Sequence, residues 1–204
     1  MSYPWGGLDG PTGDPVGLVG GHSSKDYLAI LNNTPVSGLI YHGPALAPWF
    51  GSLRNTFTWK GWELSALVSF RLGYYFRRSS IAYNQLFSEW RGHADYARRW
   101  QKPGDESHTQ VPSMVYPANI NRDQFYTLST PLVERGDHIR LQDLRLAYHF
   151  PLTGRSFLKE LECYLYARNL GRIWQHSRVA LDADYGSDLP DPLAITFGIR
   201  THFQ

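Results

Sequence analysis

A single cysteine, Cys163, is all the thiol chemistry in this 204-residue chain. One thiol excludes an internal disulfide framework and any CxxC metal or redox motif. Long apolar runs are missing too: none approaches the roughly 20 residues that a membrane-spanning helix needs. Neither sign of charge dominates. Twenty Lys and Arg stand against 18 Asp and Glu, for a net charge of +2, so no broad field directs the chain to nucleic acid. Met1 is followed by SYPWGGLDG, without a basic n-region or an apolar h-region. That start is not a signal peptide; the expectation is a cytosolic protein or a piece of something longer.

Aromatic residues are plentiful: 13 Tyr, 10 Phe and 7 Trp, beside 19 Gly and 13 Pro. This mix favours a loop-rich all-β protein with enough residues for a sizeable core. A mean hydropathy of -0.38 is too polar for a helical membrane protein. It is not too polar for a barrel wall, which turns one apolar residue in two toward lipid and has polar loops.

The organising stretch is Phe50 to Phe76, FGSLRNTFTWKGWELSALVSFRLGYYF. With a period of two it reads as two strands joined at Lys60-Gly61. One face carries Leu53, Phe57, Trp59, Trp62, Leu64, Ala66, Val68, Phe70, Leu72 and Tyr74. The other carries Ser52, Arg54, Thr56, Thr58, Glu63, Ser65, Ser69 and Arg71. A two-residue turn sets Trp59 opposite Trp62, Phe57 opposite Leu64 and Leu53 opposite Val68. Rings at both ends with aliphatics between suit a strand crossing a bilayer, because amphipathic rings sit at the two water interfaces.

Alternation returns three more times. The strands are expected at about 50–59, 62–74, 137–150, 160–170 and 193–203. In 160–170 the greasy face is ambiguous, since Tyr164 and Tyr166 alternate with Leu161, Cys163 and Leu165. Residues 1–49, 77–136 and 171–190 read as long loops, with one helical turn or a short strand at Tyr27–Leu31 and a short helix at His93–Gln101. Short and long connections alternate, as periplasmic turns and extracellular loops do in outer-membrane barrels. Trp59, Trp62, Tyr148, Phe150 and Phe203 all fall at the short-turn rim. Five strands cannot close, and open edges do not survive in lipid. The fold class expected is therefore all-β: a partial antiparallel transmembrane β-barrel, the last strands of a larger one.

The runs YPWGGLDGPTGDPVG, FGSLRNTFTWKGWELS, LGYYFRRSS, YARRWQKPGDE, VPSMVYP, HIRLQDLRLAY, LYARNLGRIW and ITFGIRTHF resemble, in order, the C-terminal part of SusC/RagA-type TonB-linked outer membrane proteins. RWQKPGD, IRLQDLRL and the NLG after the fourth strand are specific in combination. The resemblance implies a barrel of about 22 strands in the bacterial outer membrane, with an N-terminal plug that these residues lack. It implies import of an oligosaccharide or peptide, a SusD-like lipoprotein partner, contact with outer membrane lipids, and the TonB complex acting through the missing N-terminal part. Such barrels usually end on an aromatic; here Gln204 follows Phe203.

Against that frame the chemistry-bearing residues read blandly. Arg54, Glu63, Arg71, Asp143, Arg145 and Arg200 are expected to face the lumen, with Glu63, Asp143 and Glu162 neutralised by arginines across the wall. No catalytic pair, GxSxG elbow, cofactor motif or nucleic-acid module stands out, so no enzymatic activity and no cofactor are expected. Asp182, Asp184 and Asp188 loosely match a calcium loop, spoiled by the missing Glu. The eight histidines show no pair at metal spacing, so no metal is expected. Arg77-Arg78 and Arg98-Arg99 read as rim arginines bonding loop carboxylates or lipopolysaccharide phosphates. Trp90, Trp100, Trp174 and Tyr185 are the candidates for substrate contact, because rings stack on sugars as well as pin loops. The alternatives are a surface carbohydrate-binding β-sandwich and, more remotely, a β-rich glycoside hydrolase fragment.

Overall fold

The computed structural model describes residues 1–152, 158–179, 181–186 and 188–203. In chain order the elements are β1 (Gly17–Val19), β2 (His22–Ser24), α1 (Tyr27–Asn33), β3 (Trp49–Trp59), β4 (Trp62–Leu72), β5 (Tyr75–Arg77), α2 (Tyr83–Glu89), α3 (Ile120–Leu128), β6 (Val133–Arg135), β7 (His138–Phe150), β8 (Leu158–Gln175) and β9 (Ala194–Phe203). The chain divides into two compact units. One joins Met1–Gly43 to Tyr75–Glu134; the other joins Pro44–Tyr74 to Arg135–Gln204.

The second unit is an antiparallel sheet in the order β3-β4-β7-β8-β9. Its first hairpin has the expected register, with Trp59 opposite Trp62, Phe57 opposite Leu64 and Leu53 opposite Val68. Lys60 and Gly61 both have positive φ, 47° and 87°. That is the requirement of the two-residue turn whose twist matches the strands, and Gly61 meets it without a Cβ penalty.

Two features of the sheet lie beneath the simple alternation. Leu67 pairs with Asp143 but Val68 pairs with Leu141, so Gln142 is an extra residue in β7. A bulge of one residue switches which parity faces which side. The apolar row Phe150, Tyr148, Leu146 and Leu144 therefore continues in Leu141 and Ile139, while Asp143, Arg140 and His138 share the polar face. Gln142 uses its displaced side chain to donate to Ser69 Oγ at 2.7 Å. In β8 the ambiguity resolves by pairing: Leu161, Cys163 and Leu165 lie opposite Phe150, Tyr148 and Leu146. Ile199, Phe197 and Ile195 of β9 extend that row, opposite Cys163, Leu165 and Ala167.

Two strand ends move side chains away from their expected places. β8 runs to Gln175 instead of stopping near 170, so the loop taken as 171–190 begins later. β4 stops at Leu72, where Gly73 at φ 81° breaks the strand. Tyr74 then turns inward, 6% exposed, with its hydroxyl 3.2 Å from His138 Nδ1, and does not join the apolar row. The turn expected at 151–159 and the terminal Gln204 lie partly or wholly outside the described residues.

The first unit overturns the reading of 1–49 and 77–136 as irregular loop. It has its own core, where Phe125 is fully buried against Tyr27 and Ile30, with Tyr3 and Trp5 packed on it. A second cluster joins Ile81, Tyr83 and Val111. The helix expected at 93–101 is a single 3-10 stretch, Ala94–Arg98, while α2 and α3 were not anticipated. Helices of seven to nine residues are marginal alone, and caps and packing hold them here. Asp26 accepts from Ala29 N at 3.0 Å, and Asn119 from Asn121 N and Arg122 N.

Candidate functional site

The polar face of the sheet unit carries a chain of ion pairs that cross strands. Arg54 on β3 reaches over β4 to grip Asp143 on β7 with both guanidinium nitrogens, at 3.0 and 2.9 Å. Arg145 on β7 bonds Glu63 on β4 at 2.6 Å and also Glu162 on β8. Arg200 on β9 approaches Glu162 from the other side at 3.8 Å. Glu162 is only 2% exposed, and a carboxylate so buried needs such partners. The guanidinium of Arg145 also lies 5.0 Å over the ring of Tyr164. The expected neutralisation across strands is present, with one change of partner. Arg71 bonds Asp184 of the β8–β9 connection, at 2.7 Å, instead of a strand carboxylate.

That connection is bound to the sheet at the end away from Lys60-Gly61. Arg140 bonds Asp182 at 2.6 Å, Arg172 lies 3.5 Å from Asp182, and His138 Nε2 lies 3.1 Å from Asp184. The hydrogen bond from His138, stronger than the opposing effect of burial, holds the Asp184 carboxyl below its ordinary range. Asp182 and Asp184 are thus committed to cations of the chain itself. The calcium-like spacing describes a loop anchor. Elsewhere His149, Glu160 and Glu162 come within reach of a shared ion, but Glu162 already accepts from Arg145 and faces Arg200. A metal there would compete with two guanidinia.

The four candidate aromatics have four different surroundings. Trp174 is in β8, opposite Ile139 in the apolar row, and is not a loop residue. Tyr185 is pinned beneath Arg140, 5.5 Å from its guanidinium. Trp100 is buried against Gly13, donating Nε1–H to Glu106 at 3.0 Å. Gly13 has φ 67°, and a Cβ there would lie 2.3 Å from the indole, so the two residues require each other. Only Trp90 stands free, 90% exposed. It borders a cavity of about 590 Å³ with Phe87, Tyr96, Met114 and Tyr116. Sequence reasoning missed those four; a concentration of rings around one Pro-rich segment was the available signal.

The arginine pairs of this unit bond groups within it. Asp95 accepts from Arg78 at 2.5 Å, from Ser80 at 2.7 Å and from Arg98. Burial pushes its carboxyl upward, but these bonds prevail and hold it at about 2. Arg77 donates to the carbonyls of Thr127 and Met1, and Arg99 lies 4.0 Å over the Tyr96 ring.

No protein-family model matches the chain, and no curated sequence does. Solved structures do. The RagAB peptide transporter aligns with a TM-score of 0.65 and 20% identity, over 97% of this chain and 22% of that one. The same fold is shared. The RagAB peptide importer in its open-open state gives the same score and identity over 99% of this chain, and its closed-closed state over 97%. This chain spans 22% of the length of each RagAB chain it matches.

Proposed function

We propose that this chain forms a C-terminal wall segment and the associated extracellular loops of a TonB-dependent nutrient importer in a bacterial outer membrane. The observation that carries this reading is the inverted polarity of the sheet. Leu53 is 66% exposed, Phe57 63% and Phe197 66%, while Glu162 and Asp143 are buried on the other face among arginines. A water-soluble sheet does the reverse; a barrel wall around a polar lumen does this. Rings bracket the apolar rows. Trp59, Trp62, Tyr148 and Phe150 gather near the Lys60-Gly61 turn, with Trp62 and Tyr148 centroids 4.8 Å apart. Trp49, Phe70 and Trp174 lie at the other end of their strands. Strands of 11 residues, as in β3 and β4, suit a tilted crossing. No helix among the described residues is long and apolar enough to cross.

Among the described residues, β3 and β9 each have one neighbour. In lipid the free edge of each requires another strand, which a longer barrel supplies. The substrate under this reading is a peptide or oligosaccharide, the lid is a SusD-like lipoprotein, and energy comes from TonB through a plug outside these residues. The fold shared with RagAB, a peptide transporter by its name, supports the peptide. A carbohydrate-binding sandwich would need a second sheet against the apolar rows, and their exposure argues against it.

The test is flotation. With its two edges unpaired, the chain alone should be held by outer-membrane lipid vesicles or detergent through its apolar rows, floating with the lipid, and should precipitate when both are withheld. Recovery as a water-soluble monomer would refute the assignment.

A further inference from the structure

We propose that the cavity beside Trp90 is an anchor subsite for an aromatic or large aliphatic side chain of a peptide, which deepens the importer reading by naming its substrate class. The cavity, about 590 Å³, falls in the size range of small-ligand sites. Leu86, Phe87, Trp90, Tyr96, Met114 and Tyr116 make most of its wall. Phe87 and Tyr116 meet edge to face, with centroids 5.2 Å apart.

Two of the polar groups nearby are already engaged. The Tyr96 hydroxyl donates toward Met114 Sδ at 3.5 Å, and His93 Nδ1 accepts from Asp95 N at 3.1 Å. A sugar placed against Leu86, Phe87 and Met114 would lose hydration of its hydroxyls to walls that offer no strong hydrogen bond. A neutral apolar side chain needs only surface to cover, and Met supplies an adaptable wall.

The backbone adds an independent argument. Trp90 caps α2 in the left-handed region, at φ 56° and ψ 26°. Glycine adopts that conformation freely; a bulky residue there is strained. The chain keeps an indole at a position where stability favours glycine, and leaves it 90% exposed. Strain retained with an exposed ring is expected of a residue kept for contact.

The experiment uses the full chain in lipid vesicles and a pentapeptide of four alanines around a central p-benzoylphenylalanine. Photolysis followed by mass spectrometry should place the crosslink within 86–96 or 114–116. An Ala-Phe pentapeptide should compete, whereas an all-serine pentapeptide and a neutral glucose oligosaccharide should not. Trp90→Gly should raise the melting temperature yet cut crosslinking at least tenfold, and Trp90→Phe should restore most of it. Crosslinks elsewhere, equal competition by the oligosaccharide, or full crosslinking in Trp90→Gly would overturn the proposal. Flotation of the same vesicles reads the importer assignment separately, so failure of either is recognised by itself.

Discussion

Two phenylalanines summarise how differently the two units are built. Phe125 has no exposed surface and sits among Tyr27, Ile30 and Trp5; Phe197 is 66% exposed on a strand that turns its arginine to the opposite face. One unit hides apolar groups from water in the ordinary way. The other shows them outward and keeps its charges paired on the opposite face. The same residue type is thus buried in one unit and exposed in the other, and substitutions should separate the two settings.

The largest effect belongs to Phe125→Ala, which leaves a cavity in a filled core and should cost about 3–5 kcal/mol. Phe197→Ala, by contrast, should shift the melting temperature in detergent only slightly. Thermal unfolding of the two variants side by side checks the pair.

Asp95→Asn comes next, at about 3 kcal/mol, because Arg78 would lose its buried partner. Its pH dependence has a definite sign. The folded pKa is depressed to about 2, below an unfolded value of about 3.9. The contribution is thus complete above pH of about 4 and lost as pH falls toward 2. Acid titration of the wild type should show this loss, and Asp95→Asn should not.

In the sheet unit, Leu165→Arg should cost about 2–4 kcal/mol in a bilayer, the penalty of a cation on a lipid-facing strand. In a water-facing sheet the same change would be nearly neutral. Urea titration of folding into vesicles distinguishes the two. A smaller cost than Leu165→Arg attends Gly61→Ala, about 1 kcal/mol, from a Cβ at φ 87°, read from the denaturation midpoint.

The sheet was legible because one apolar and one polar face impose strict alternation on each strand. Lys60-Gly61 then fixed the register of the first hairpin. The bulge at Gln142 was invisible: one extra residue leaves no signature, yet it moves Ile139 and Leu141 to the apolar face. Trp174 was misplaced for a related reason, since β8 continues past Asn169 and Gly171, residues with positive φ that read as a strand end. In the other unit order comes from distant partners. Arg122 bonds Asp14, 108 positions earlier, and Trp100 needs Gly13. Such pairings leave no local period, and Pro- and Gly-rich composition masks them. The ring cluster at Trp90 was half visible, through that tryptophan alone.

The central claim, that the apolar rows of the sheet face hydrocarbon, can be tested with the native Cys163. It lies in the apolar row opposite Tyr148 and Ile199, and the adjacent Tyr164 lies on the charged face. A nitroxide on Cys163 in lipid vesicles should collide readily with dissolved oxygen and rarely with a water-soluble nickel complex, with the preference reversed for a label at 164 in Cys163→Ser/Tyr164→Cys. Equal access of the nickel complex to both positions, or protection of Cys163 from both reagents, would contradict it.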